Sequence, residues 1–331
     1  MVASWPAARG RRTNPCSVSI QPEGETMSSS ERVAYFNGKI VPESQVLIPF
    51  RDRSFKYGDG VFDMTRTFDG RIFKLKEHLE RFERSLKYAG IDPGLSMDEL
   101  AAISEEVLQR NLPLLQPGED YWVGQRVSRG VDLVGGDFWE NAGPNVIVEC
   151  TPLPFKARAR LYRDGIDVIF PSVRRVPPEC LSPNVKSHNY LNLIMGDLEV
   201  RSYNPNAWSL LLDTRGFLAE GTGSNVFLVK DGVFYTPKEQ YVLAGVSRET
   251  VIELAEQLKL TVVEEDLTPY NAYTADEAFI TSTSFCICPV HSFNNKVVGN
   301  GRVPGPVTRQ LTAAYIDLVD CDFVEQYLRH L

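Results

Sequence analysis

Hairpin signals and helix signals alternate in both halves of this chain, and that mixture constrains its fold more than any other feature. Asn37-Gly38 lies inside Ala34–Val41, and Asp69-Gly70 lies inside Thr65–Phe73. Both dipeptides tolerate the two positive φ angles of a type I′ turn, so each segment is expected to be a β-hairpin. Directly afterwards Leu75, Leu79, Phe82, Leu86 and Ala89 recur at spacings of four and three, the stripe of an amphipathic helix that Gly90 ends. Ser96-Met-Asp-Glu99 has the form of a capping box and opens a helix to about Asn111. Strands are expected at 121–127 and 145–150, with a Gly-rich loop over 129–137 between them. The second half repeats the mixture. Strands are expected at 167–171, 208–213, 225–229, 233–235 and 277–281, and helices at 189–203, 248–258 and from Gly305 onward. Two α/β lobes enclosing a cleft satisfy this pattern.

The length, 331 residues, suits two domains. We expect a domain over 31–150, a linker over 151–165 where prolines and basic residues cluster, and a second domain over 166–331. Residues 1–30 are rich in Pro, Arg, Gly and Ser without periodicity, and read as a disordered extension. The net charge of -8 argues against nucleic acid as a partner, and no apolar run approaches the roughly 20 residues of a membrane span. The six cysteines are scattered and lack an accompanying histidine pattern, so no metal site is expected and a reducing, cytoplasmic setting is.

Two residues stand out chemically. Lys186 follows Pro183 and precedes the apolar run Tyr190-Leu-Asn-Leu-Ile-Met195, which places its amine at an inward-facing loop-to-helix junction. An amine turned away from water is a better nucleophile than a solvated ammonium. Glu220 opens Glu220-Gly-Thr-Gly-Ser-Asn225, where glycines permit close approach of backbone to the carboxylate. Either residue alone is ordinarily a surface charge. Anion donors lie further on. Gly245-Val-Ser-Arg248 precedes an amphipathic helix, so the amides of Val246 and Ser247 are free to bind a phosphate, and Thr281-Ser-Thr-Ser284 adds hydroxyls. Arg66, on a strand after Gly58-Asp-Gly-Val-Phe62, is a candidate for a bidentate contact.

Taken in order, the Lys186 segment, Glu220–Asn225, Leu243-Ala-Gly-Val-Ser-Arg248, Phe279-Ile-Thr-Ser-Thr283 and Gly305-Pro-Val-Thr-Arg309 resemble the class IV aminotransferases, the fold type IV pyridoxal phosphate (PLP) enzymes. That family includes branched-chain and D-amino acid aminotransferases, (R)-selective amine transaminases and aminodeoxychorismate lyases. The resemblance spans about residues 33–320. It implies a two-domain fold with a smaller N-terminal α/β lobe, a larger C-terminal mixed-sheet lobe and PLP between them, in a homodimer. It implies that Lys186 binds the cofactor aldehyde, that Glu220 pairs with the ring nitrogen, and that Arg66, Val246, Ser247 and Thr283 hold the phosphate. Tyr190 and Asn225 complete the cofactor set.

The substrate end is less constrained. Phe62, Met64, Tyr121 and Trp122 are candidates for an apolar pocket, Ser284 for a polar contact, and Arg126, Arg129 or the loop around Val131 for a substrate carboxylate. The reaction expected is transfer of an amino group from a branched-chain or similarly apolar amino acid to a 2-oxo acid, with Lys186 as acid and base in turn. A D-amino acid or (R)-amine transaminase, a PLP lyase, and a non-catalytic dimeric scaffold are the alternatives. Tyr57–Phe62 and Lys186-Ser-His-Asn resemble the D-amino acid enzymes, and Val173–Pro178 the (R)-amine enzymes.

Overall fold

The computed structural model describes residues 31–331. The disordered extension expected over 1–30 lies outside the described residues. Asn37 and Gly38 (φ 46° and 92°) and Asp69 and Gly70 (φ 49° and 72°) turn the two expected hairpins, Val33–Phe36 with Lys39–Pro42 and Gly60–Phe68 with Arg71–Ile72. These strands belong to one six-stranded antiparallel sheet. Its order is 39–42, 33–36, 146–152, 121–128, 60–68, 71–72. Helices Leu75–Ala89 and Met97–Asn111 cover one face of it, and Ser96 closes the expected capping box with Glu99. Phe82, Leu100, Val107, Val123 and Val148 form the core between the helices and the sheet.

A second, larger sheet has eight strands in the order 262–264, 233–236, 225–230, 277–282, 286–293, 166–169, 208–209, with 296–297 beside 286–293. It is mixed: 286–293 runs parallel to 166–169 and antiparallel to 277–282. Helices Val246–Gln257 and Pro306–Val319 pack on it over Phe227, Phe234, Phe279 and Tyr315. The two-lobe mixed α/β architecture is therefore present. Among the described residues no helix is long and apolar enough to cross a membrane, and no cluster of side chains is arranged to hold a metal ion.

Several elements were not expected, among them the helix Arg53–Tyr57 and the strands Val262–Glu264 and Lys296–Val297. The segment 151–165, read as a linker, contains the helix Phe155–Asp164, which buries Phe155, Ala159, Leu161 and Tyr162. The strand Cys286–Phe293 carries Pro289, a residue that ordinarily argues against a central strand. Here Pro289 pairs with Phe279, and the parallel neighbour begins only at Val290, so no ladder hydrogen bond on that side is lost. The short helices Pro269–Thr274 and Phe323–Leu328 were missed as well.

The lobes are tied together through buried polar groups. Arg66 donates to the carbonyls of Thr67 (2.9 Å) and Ser284 (3.2 Å) and to Gln326 Oε1 (2.9 Å). Gln326, on the C-terminal helix, donates to Asp120 Oδ2 at 2.7 Å, and Asp120 accepts from Thr67 Oγ1 and the Gly70 amide. Every member of this network is satisfied, which is the condition for a buried polar cluster to hold two bodies in one register.

Candidate active site

Backbone contacts from the opposite lobe fix Lys186. Its amide donates to Ser85 Oγ at 3.2 Å, and its carbonyl accepts from the Phe62 amide at 2.9 Å. Ser187 makes a bridge to Val61. The lysine loop is thereby pinned to the Gly60–Phe68 strand, and Nζ sits 3.4 Å from Tyr190 Oη and 4.8 Å from the Phe62 ring centroid. Among the described residues no carboxylate forms an ion pair with Lys186. Its immediate neighbours are the rings of Phe62 and Tyr190.

Glu220 is 5% exposed. Its Oε1 accepts from Arg175 Nε at 2.8 Å and its Oε2 from the Leu243 amide at 2.9 Å. A carboxylate with a guanidinium and an amide as donors is fixed in orientation and has lone pairs left to accept from a further N–H. Gly221 is needed here: a Cβ would come within 2.9 Å of the Ser209 carbonyl. Asn225 Nδ2 donates to the Leu243 carbonyl at 3.0 Å and so braces the same loop.

Lys186 and Glu220 line one pocket, together with Tyr190, Val246, Ser247 and Thr283. Helix Val246–Gln257 begins at this pocket without a side-chain cap, so its first amides are open. Thr281 Oγ1 points into the same region, buried and without a hydrogen-bond partner. An uncapped helix start and an orphaned hydroxyl around one pocket form a site for an anion such as phosphate. These residues fit a group bearing an aldehyde, a protonatable ring nitrogen and a phosphate.

The cation at that end was missed in the sequence. Arg81 lines the pocket and donates through Nη1 to the Ala244 carbonyl at 3.0 Å. Its Nε and Nη2 clamp the fully buried Asp63 at 2.9 and 2.7 Å, and His78 Nδ1 lies 2.7 Å from the same carboxylate. Burial alone would raise the Asp63 pKa, but the Arg81 guanidinium and His78 outweigh it and hold the carboxyl well below the usual range. Burial also lowers His78 from its ordinary value. The available signal was an aspartate on a strand beside two apolar residues, with a His and an Arg three apart on the following helix.

Four sequence expectations are corrected. Arg66 does not reach the pocket. It shares a strand face with Phe62 and Met64 but lies one pleat beyond them, where the 282–286 turn and the C-terminal helix cover it, and its donors are consumed by the network described above. Arg129 is also elsewhere, bonded to Asp59 Oδ2 (2.8 Å) and to the carbonyls of Ala89 and Gly90. Arg126 sits near Phe62 (5.1 Å) but is neutralised by Glu149 at 2.6 Å. Phe62, Met64, Trp122 and Ser284 line a cleft of about 430 Å³ that also contains Lys186 and Tyr190. Tyr121 is not part of it. It is buried in the smaller lobe, with Oη donating to the Asn111 carbonyl.

Known proteins resemble this chain in sequence and in fold. The model of the family described as amino-transferase class IV matches residues 60–293. A Methanocaldococcus jannaschii protein, provisionally named a branched-chain-amino-acid aminotransferase, is 39% identical over 285 residues, covering 86% of this chain and 95% of that protein. The Bacillus licheniformis D-alanine aminotransferase is 30% identical, covering 84% of this chain and 94% of its own length. Among solved structures, the Escherichia coli branched-chain amino acid aminotransferase superposes with a TM-score of 0.79 at 29% identity, covering 88% of this chain and 95% of that one. The branched-chain amino acid aminotransferase of the thermophilic archaeon Thermoproteus uzoniensis, solved with norvaline, superposes with a TM-score of 0.77 at 26% identity, over 91% and 98% of the two chains. With its fold, its lysine–glutamate pocket and these relatives, the chain belongs to the class IV aminotransferases.

Proposed function

We propose that this protein is a PLP-dependent aminotransferase that moves the amino group of a branched-chain or similarly apolar amino acid to a 2-oxo acid. The observation that carries the reading is the single pocket in which Lys186, the Arg175-bound Glu220 and an uncapped helix start converge. Lys186 holds the cofactor aldehyde and Glu220 the ring nitrogen. Arg81, the amides of Val246 and Ser247, and the hydroxyls of Thr281 and Thr283 hold the phosphate. When bound, the cofactor supplies an aldehyde that condenses with the substrate amine and a ring that delocalises electrons from the reacting carbon.

The remaining work belongs to the chain. Arg175 and the Leu243 amide hold the Glu220 carboxylate in one orientation. Lys186 Nζ, free of any ion pair among the described residues, takes and returns a proton at the reacting carbon. Tyr190 Oη, 3.4 Å away, orients that amine. Phe62, Met64 and Trp122 give the cleft an apolar wall that favours a hydrocarbon side chain. The aminotransferase names of the relatives favour transfer over the lyase reading.

We also propose that the working form is a cytoplasmic homodimer, with domains over 31–150 and 166–331 joined by 151–165, whose helix packs into the core of the larger domain. Support comes from exposed Phe50, Phe55, Phe138 and Trp139 on the smaller lobe and Leu191 on the larger, and from the five cysteines of the described residues, all unpaired. Light scattering tests the dimer, and a monomeric mass would refute it. A donor panel of L-leucine, D-alanine and (R)-1-phenylethylamine, each with pyruvate and 2-oxoglutarate, tests the reaction. The expected best pair is L-leucine with 2-oxoglutarate. Pyruvate release without an acceptor, or a preference for D-alanine, would overturn the assignment.

A further inference from the structure

The cleft contains a cation that none of the motifs around Lys186 accounts for. Arg158 projects from helix Phe155–Asp164 into the wall shared with Met64, Trp122 and Thr283. Its guanidinium carbon lies 4.5 Å from the Phe285 ring centroid, 5.2 Å from Trp122 and 5.7 Å from Trp208, so aromatic rings surround it. One Nη donates to Ser284 Oγ. Among the described residues no carboxylate forms an ion pair with it. Its other polar neighbours are the hydroxyls of Tyr162 and Tyr327 and the Cys288 thiol. The side chain is half-buried, and this burial lowers its pKa from the ordinary arginine value.

The other arginines of the region are all committed. Arg81 is bound to Asp63, Arg126 to Glu149 and Arg175 to Glu220, while Arg66 spends its donors on carbonyls and Gln326. Arg201, at the rim, is exposed to water. A partly buried guanidinium among aromatic rings and without a counter-charge is costly to maintain, and an incoming anion relieves that cost. Its planar fork matches a carboxylate, and the stacked rings and Ser284 fix the direction in which the fork faces.

The position also selects which carboxylate. Ser284 follows Thr283, and Thr283 lines both the cleft and the Lys186–Glu220 pocket. An anion at Arg158 and Ser284 therefore sits at the border of the reacting centre rather than at the far end of the apolar wall. We propose that Arg158, held by Ser284 Oγ, receives the carboxylate common to the amino acid and 2-oxo acid substrates. This rests on the aminotransferase reading above. It assigns to a residue of the larger lobe the task that the sequence assigned to Arg126 or Arg129.

The test compares holoenzyme carrying Arg158→Met, which keeps the stem and its packing on the rings, with Arg158→Lys, which keeps the charge. Steady-state kinetics with L-leucine and with L-glutamate are paired with calorimetric binding of 4-methylpentanoate and its neutral isostere 4-methylpentanamide. Loss of a charge-assisted hydrogen-bonded pair is expected to raise KM for both amino acids, and Kd for 4-methylpentanoate, by about tenfold to a hundredfold. The kcat should change less, the amide should bind as before, and Arg158→Lys should recover part of the loss. Unchanged KM for L-leucine would overturn the proposal. So would a loss confined to L-glutamate, which would put a distal carboxylate at Arg158, or an equal loss for acid and amide, which would make Arg158 a packing residue. If the wild type turns over no amino donor, the aminotransferase reading fails, while the acid–amide comparison still decides the role of Arg158.

Discussion

The two ends of the cleft are built in opposite ways. Around Glu220 the charges are paired: Arg175 and the Leu243 amide hold Glu220, and Arg81 is clamped on Asp63 beside His78. Beyond it Phe62, Met64 and Trp122 make an apolar wall, and Arg158, beside Ser284 at the border with the pocket, stands among rings without a counter-charge. A pocket of paired groups has one geometry, imposed before anything binds, and suits a cofactor that never changes. A wall of hydrocarbon with one unspent charge tolerates different side chains while demanding the same anion, and suits two substrates that take turns.

The largest effects are expected at the paired end. Lys186→Ala should lower kcat for transamination by about 10⁴-fold or more, since both the covalent anchor and the proton carrier are lost. A variant within tenfold of wild type would remove Lys186 from the chemistry. Glu220→Gln should retain the fold but lose about 10²-fold in kcat, because the ring nitrogen loses its ionic partner and Arg175 loses its own. Cofactor absorbance on the purified variant separates a catalytic defect from failure to bind. Wild-type kcat would show that the Arg175 pair is merely structural.

How far the sequence revealed this difference follows from locality. Lys186, Glu220 and the Val246–Ser247 helix start each announce themselves within a few residues, through a proline, two glycines or a helix boundary. The hairpins at Asn37-Gly38 and Asp69-Gly70 were legible for the same reason. Arg81 was not, because its importance arises from Asp63, eighteen residues away on a facing strand. Arg66 misled because strand alternation gives the face but not the depth: position 66 shares its face with Phe62 and Met64, yet the C-terminal helix, itself unforeseen, covers it. Arg158 was hidden inside a segment whose prolines suggested a linker. Pro152 instead ends a strand, and Pro154 stands at the start of a helix, where a missing amide costs nothing.

A sharper test of the paired end is its stability. Asp63→Asn leaves the guanidinium of Arg81 buried without its full counter-charge, and should destabilise the fold by about 3–5 kcal/mol in urea unfolding. The pH dependence has a definite sign. The carboxyl titrates lower folded than unfolded, so its contribution is complete above the unfolded value of about 4 and is lost as pH falls below it. The variant should lack that acid limb. If both proteins lose stability in parallel below pH ~4, the Asp63 cluster is not what anchors the helix bearing Arg81.

The smallest expected effect probes the wall. His188 stands behind Phe62, with ring centroids 5.5 Å apart, and its Nδ1 is hydrogen-bonded to Ser54 Oγ while Nε2 is buried without a partner. Burial, aided by Arg126 and opposed by Asp52, pushes its pKa down to about 4. The unfolded chain therefore takes up a proton near the ordinary histidine value of about 6.5, while the folded chain refuses it until about pH 4. The resulting stability is complete above the upper value and is lost progressively as pH falls toward the lower one. His78 contributes with the same sign, so the comparison must be between wild type and His188→Gln rather than between two pH values of one protein. The Tm of wild type should fall more steeply than that of the variant across this window, and the two should run parallel above it. Identical slopes would mean that the imidazole is already hydrated when folded, and that Phe62 is positioned by the Lys186 backbone bond alone.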